Sequence, residues 1–254
     1  MTSNRIKEVF DVVMSGEAVR RLMRAPGFRR LSPRPLHPGD EREAQEEFRS
    51  YFSAIAISSL PEGTDPASAD VWLEDEARLA KMGMQTRVRA RRGSRPRVPR
   101  DYRSGYCDLF SAICPESGMS AGHVCNRANT DEMNRHLVEI GSAVPQGRHA
   151  LAVLDGAGWH RSRSLEIPDD VSLLHLPPYS PELNPVETVF QFLKRSNFAN
   201  QIFATAEKVK DRVEKVWNDS ARTPGRIASL GRRGWSRLAS TPTAQPAQHA
   251  SPGG

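Results

Sequence analysis

At 254 residues, with a net charge of +6 and 38% hydrophobic residues, the chain is long enough for one sizeable domain with appendages. It is basic enough to lean towards a polyanion such as nucleic acid. It has no apolar run of about 18 residues that would cross a membrane, and Lys7, Glu8 and Asp11 interrupt any secretory signal. Its three cysteines (Cys107, Cys114, Cys125) are odd in number without CxxC spacing, which reads as reduced thiols of a cytoplasmic protein, not as a zinc site or disulfide framework.

Along the chain, Ile6, Val9, Phe10 and Val13, then Val19, Leu22 and Met23, recur at helical spacing and predict helices within residues 1–25. Residues 27–40, with prolines at 33, 35 and 38, predict an extended basic connector carrying Arg29, Arg30 and Arg34. A further helix is expected over 40–57. The pattern then turns α/β: strands are expected at VWLEDEA (71–77), TRVRARR (86–92), YCDLFSAICP (106–115) and AGHVCNR (121–127). NTDEMNRHLVEIG (129–141) reads as a helix capped by Asn129 or Thr130. LAVL (151–154) is nearly wholly apolar, as a central buried strand should be, and VSLLHLP (171–177) is another strand. Helices are expected over 185–196 and about 205–218. Strands first, then alternating helix and strand, predict an α/β fold with a mixed sheet flanked by helices, as in RNase H-like proteins. We expect a helical remnant and connector over 1–60, the main domain over 68–220, a helical extension over 221–239 and a disordered tail over 240–254.

Three acids stand out. In a strand over 71–77, Val71, Leu73, Asp75 and Ala77 share one face, and Trp72, Glu74 and Glu76 the other. Asp75 is thus the acid on the apolar-looking face, where an unpaired carboxylate is costly; a strand-end acid reaching solvent is the alternative. Asp155 ends the most buried strand, where sites in α/β sheets gather; an Asx-turn is its plainer explanation. Glu187 fits a capping box, with Asn184 as N-cap and Pro185 at N1. A carboxylate in a first helical turn also points out of the helix end, where a metal could sit. Together the three suit a hard ion such as Mg²⁺. Two ions about 3.5–4 Å apart perform phosphoryl transfer by activating one oxygen and stabilising the other.

Residues 87–103 hold eight arginines, among them Arg87, Arg89, Arg91, Arg92, Arg95 and Arg97. Such an array suits contact with a phosphate backbone independent of sequence, as could the arginines of the connector. A solvated hairpin is the bland alternative.

LDGAGWH (154–160) and LLHLPPYSPELNPVETVFQFLK (173–194) resemble the catalytic signature of bacterial insertion-sequence DDE transposases of the mariner-like superfamily, the insertion-sequence 630 family. The acids stand 32 positions apart (155 to 187), as in that family, and DEAR at 75–78 is similar to its first-aspartate block. The resemblance implies an RNase H-like core in which Asp75, Asp155 and Glu187 hold two Mg²⁺ or Mn²⁺ ions. It also implies hydrolysis of double-stranded DNA at transposon ends and strand transfer into target DNA. By its place in the motif, His160 lies near the metals or the scissile phosphate; a hydrogen-bonding role at a helix start fits it as well. Tyr179, Ser180 and Asn184 shape the turn that presents Glu187. A homodimer is expected because such enzymes work on paired ends. The stretch before the connector is short for the family's helix-turn-helix. It reads as a decayed copy, a displaced start, or the second frame of an element whose upstream product supplies the missing helices. A decayed fragment that binds DNA without chemistry, and a host endonuclease of the same fold, are the rival readings.

Overall fold

The computed structural model describes residues 3–26, 42–98 and 105–238, in two compact units, residues 1–38 and 39–254. In the first, α1 (Ser3–Phe10) and α2 (Gly16–Arg24) form where the apolar spacing places helices. Ser15 caps α2, its hydroxyl accepting from the Ala18 N–H at 3.2 Å. The expected connector with Arg29, Arg30 and Arg34, and the tail at 240–254, lie outside the described residues. No helix among the described residues is long and apolar enough to cross a membrane.

The second unit is built on a five-stranded sheet of order β3-β2-β1-β4-β5. Its strands are β1 (Ala69–Ala80), β2 (Tyr106–Ile113), β3 (Ser120–Cys125), β4 (His149–Leu154) and β5 (Val171–His175). β1, β2 and β3 pair antiparallel, whereas β4 runs parallel to β1 and β5 to β4. The mixed sheet flanked by helices is thus the expected one. Two apolar layers cover it. On one face α4 (Thr130–Ala143) lays Met133, Leu137 and Ile140 against Trp72, Phe110, Ala152 and Leu154. Asn129 starts that helix, its side chain accepting from the Glu132 N–H at 3.0 Å. On the other face α5 (Val186–Asn197), α6 (Ala206–Ala221) and α7 (Pro224–Gly231) bury Val189, Phe190, Val213, Trp217 and Ile227 against Val71, Leu73 and Leu109. Gly122 lets α6 approach: a Cβ there would meet the Phe110 carbonyl at 2.6 Å and the Trp217 ring at 2.8 Å.

Helix α3 (Arg42–Ser58) packs in this second unit, sending Phe48, Phe52 and Ala56 into the same core as Val71 and Leu73. Phe52 sits edge-on to Phe48 and to Trp235, with ring centroids 5.7 and 5.0 Å apart, so the start and end of the unit meet in one aromatic cluster.

One expected strand does not form. Residues 86–92 lie outside every strand, and Arg87, Arg89, Arg91, Arg92, Arg95 and Arg97 are all exposed. The alternation is a strand's, but beside the guanidiniums it offers only Val88, itself 48% exposed, and Ala90. A segment without an apolar face has nothing to bury against a sheet. It is held at its base. Thr86 N–H donates to Asn200 Oδ1 at 2.9 Å, and Gly83 lies so close to the Phe198 carbonyl that no side chain fits there.

Truncating the aromatic cluster should be expensive. Phe52→Ala is expected to lower unfolding stability by about 3–5 kcal/mol. A double-mutant cycle with Trp235→Ala should show a coupling of roughly 0.5–1.5 kcal/mol. Urea unfolding followed by tryptophan fluorescence measures the first, with circular dichroism for the variants lacking Trp235. Additive effects would mean that the two rings do not support one another.

Candidate active site

β1 carries three consecutive acids, and strand alternation divides them. Asp75 faces the α5 side; Glu74 and Glu76 face the α4 side. Asp155 follows the last residue of β4, and Glu187 is the second residue of α5. The structure brings Asp75, Asp155 and Glu187 to the lining of one cavity of about 460 Å³, shared with Gly156, Arg161, Tyr179 and Asn184. Arg161 is the only cation among the described residues that line it.

Asn184 makes this convergence local. Buried in the turn, its side-chain N–H donates to the Glu74 carbonyl at 2.6 Å and its Oδ1 accepts from the Val186 N–H at 3.1 Å. One side chain thereby ties the residue before Asp75 to the first turn of α5. The expected capping box is not made. The Asn184 N–H donates to the Pro181 carbonyl at 3.0 Å, and Pro185 occupies the N-cap. That leaves the exposed Glu187 carboxylate for the cavity.

The cavity gathers more carboxylates than cations. Burial, then the charges of Glu76 and Glu187, push the Asp75 carboxyl up to about 8, against one stabilising hydrogen bond from the Glu76 N–H at 2.9 Å. Asp155 is held below the usual carboxylate range, chiefly by the hydrogen bond from His160.

His160 does not line the cavity. It is fully buried in the short helical turn at 158–161, with Nδ1 2.9 Å from Asp155 Oδ1 and Nε2 2.9 Å from Glu76 Oε1. With an acceptor at each nitrogen, both must carry protons. Burial opposes that charge, but the bonds to Asp155 and Glu76 and the charge of Glu74 override it and push the imidazole up to about 11. Trp159 Nε1–H also donates to Glu76 Oε1, at 2.6 Å. Glu74, wholly buried, stands 3.4 Å from His160 Nε2 and 3.8 Å from His136 Nε2. Burial, then the charge of Glu76, raises its carboxyl well above the usual range. The sequence pattern gave no cue to this polar group, because β1 is buried on both faces and only one looked apolar.

A divalent ion fits the cavity on chemical grounds. Its donors are carboxylates, the ligands a hard cation prefers, and their repulsion is what a cation would relieve. Among the described residues the triad does not form a three-donor group within 4.8 Å.

The model of the DDE superfamily endonucleases matches residues 70–210, more than half of the chain. The chain belongs to the DDE endonuclease superfamily. Residues 3–51 are similar to a winged helix-turn-helix family. Over 128 residues the chain is 42% identical to the uncharacterized protein y4pE/y4sA of Sinorhizobium fredii, covering 50% of this chain and 95% of that protein. Among solved structures it is similar to the Mos1 strand transfer complex, at 16% identity and a TM-score of 0.59 over 92% of this chain and 74% of that one. It is also similar to the mariner Mos1 paired end complex with Mn, at 18% identity and a TM-score of 0.60 over 92% and 75%. The fold of this DDE endonuclease is therefore the RNase H-like one of the mariner enzymes.

The raised Asp75 carboxyl has a consequence for stability. Unfolded, it titrates at its ordinary value of 3.8; folded, at about 8. Between those values the folded chain binds the extra proton, so stability falls as pH rises through that window. Asp75→Asn should remove that loss. Without divalent ions the variant is expected to melt a few degrees above the parent at pH 8, the difference closing near pH 4. Thermal unfolding across this range checks it; parallel curves would show that Asp75 is not the strained group.

Proposed function

We propose that this DDE endonuclease is the catalytic part of a DNA transposase, with Asp75, Asp155 and Glu187 as ligands of two Mg²⁺ or Mn²⁺ ions. The observation that carries this reading is the meeting of three acids, far apart in sequence, in one cleft that Arg161 alone among the described cations lines. The related mariner complexes were solved with Mg and with Mn, and the donor chemistry here favours the same ions. When bound, such a pair would activate the attacking oxygen and stabilise the leaving one at a phosphodiester.

The protein's own part is positioning. His160 fixes the Asp155 carboxylate through Nδ1 and draws a counter-hold from Glu76 through Nε2, so one oxygen of Asp155 keeps its orientation without entering the cleft. Asn184 sets Glu187 opposite Asp75. Arg161 on the cleft wall offers a fork of donors to a phosphate oxygen. The substrate is double-stranded DNA. The exposed arginines 87, 89, 91, 92, 95 and 97 provide sequence-independent backbone contact, and Arg29, Arg30 and Arg34 do the same in the connector. The winged helix-turn-helix similarity at residues 3–51 supports end recognition within this chain. A homodimer working on paired ends, with any further recognition helices supplied by an upstream-frame product, completes the proposal.

Nicking of supercoiled plasmid in Mg²⁺ or Mn²⁺ tests the reading without knowledge of the transposon ends. Asp155→Asn and Glu187→Gln, purified identically, should each lose at least about 100-fold in rate, the loss of a few kcal/mol of transition-state stabilisation. Equal nicking by all three proteins would reject the triad. No nicking by any of them, with DNA still bound, would favour a fragment that binds without chemistry. Separately, replacing Arg87, Arg89 and Arg91 by Ala should flatten the slope of log affinity against log salt by roughly 2–3, about 0.9 per lost phosphate contact. Filter binding over a salt series measures it, and an unchanged slope would remove this segment from the DNA path.

A further inference from the structure

On the sheet face covered by α4, β3 and α4 assemble a second group of donors that the cleft does not use. His123 stands on β3; His136 and Glu139, three residues apart, lie on one side of α4. His123 Nδ1 is 3.6 Å from Glu139 Oε2, and His136 Nδ1 is 4.0 Å from the same oxygen. One donor atom from each of the three falls within 4.8 Å of the other two. Those separations are too long for hydrogen bonds. His136 is fully buried, yet neither of its ring nitrogens has a hydrogen-bond partner, and His123 Nδ1 is buried without one as well. Native proteins rarely leave such groups unsatisfied, because each costs about 1–3 kcal/mol.

The far nitrogens complete the pattern. His123 Nε2 is 3.1 Å from Glu132 Oε2, and His136 Nε2 faces Glu74 Oε1 at 3.8 Å. His123, hydrogen-bonded to a carboxylate at one nitrogen, is set up to offer the other to a metal ion; behind His136 the carboxylate stands beyond hydrogen-bond distance. In a tetrahedral site with bonds of about 2.0–2.1 Å, neighbouring donor atoms stand about 3.3 Å apart. The two edges to Glu139 exceed that by less than an ångström. We propose that His123, His136 and Glu139 form a second metal site, selective for Zn²⁺-type ions, on the opposite side of the sheet from the cleft.

Two imidazoles and one carboxylate suit zinc and its neighbours better than magnesium, which separates this site chemically from the carboxylate cleft. The fourth position opens towards a cavity of about 380 Å³ bordered by Cys125, Glu132, Arg135 and Lys210, where water or an anion completes the shell. Cys125 and Glu132 also come within reach of His123, but a site built on them leaves His136 orphaned. The ion would clamp α4 to β3. It would also hold the imidazole that backs Glu74, the residue standing next to His160 behind Asp155.

The test uses the full chain with Asp75, Asp155 and Glu187 replaced by Asn, Asn and Gln, so that the cleft cannot bind the probe. After chelator treatment, Zn²⁺ affinity is measured by competition with a chromophoric chelator, and Co²⁺ geometry by its visible ligand-field bands. A single ion per chain with a four-coordinate cobalt spectrum is expected. Glu139→Gln and His123→Gln should each weaken binding at least about 10-fold, with Cys125→Ser unchanged. Glu139 is partly exposed, so its variant is expected to keep the fold, and circular dichroism verifies that. No stoichiometric ion, equal binding by the Glu139 and His123 variants, or loss in Cys125→Ser alone would each overturn the assignment.

Discussion

Three acids in a row at the middle of a sheet are the constraint around which the rest is arranged. β1 buries Glu74 completely and Asp75 and Glu76 in part, and carboxylates cannot be taken out of water together without a device to offset each of them. The two faces use different devices. On the α4 side, Glu76 receives the protons of His160 and Trp159, and Glu74 is driven towards its neutral form. On the α5 side, among the described residues, Arg161 is the only cation lining the cavity that Asp75 faces. Asp155 and Glu187 are added to Asp75. The charge left over there is a property of the fold, not of a local accident, because each acid comes from a different element.

His160 joins the two sides. Its ring is hydrogen-bonded to both Asp155 and Glu76, and its charge is shared between a carboxylate facing the cleft and one facing the core. Holding Asp155 this way costs the cleft no cation, since the imidazole sits behind the carboxylate and not in front of it. A lysine or arginine in the same role would reach into the space where an ion belongs. An imidazole fixes a carboxylate from the rear within a short radius and leaves the front open.

Much of this was legible from residue order, and the exceptions have physical causes. β4, α4 with its Asn129 cap and α5 carry strong local signals: an unbroken apolar run, a cap residue before a periodic stretch, an Asn-Pro start. Asp75 was legible because its strand neighbours Val71, Leu73 and Ala77 are apolar. Glu74 was not, because the layer that buries it comes from α4, about 60 residues later, and no pattern within β1 announces it. His123 and His136 were missed for a related reason. Each is a lone histidine locally, and only the packing of α4 on β3 makes them a pair. The arginine-rich segment failed in the opposite direction, since alternation was present without the apolar partner face that turns alternation into a strand. The capping box at Glu187 failed because Pro181 had already taken the Asn184 N–H.

The arginine segment shows how a missing strand can still be consistent with the rest. Had residues 86–92 joined the sheet, they would have extended it at an edge, with half the guanidiniums turned towards a helical layer and needing carboxylate partners. Asp108, on the neighbouring strand to β1, is already engaged: it holds Arg78 at 2.9 Å and the Ala128 N–H at 3.0 Å. Left out of the sheet and pinned at their base through Thr86, Asn200 and Gly83, the guanidiniums stay exposed and carry little desolvation cost. That is the state from which contacts to phosphate gain most, because counterions are released from the polyanion while little protein hydration is lost. The fold therefore keeps its positive charge outside, where it is cheap and diffuse. Its negative charge is inside, where it is costly and localised, the arrangement that the proposed metal-dependent attack on a polyanion would need.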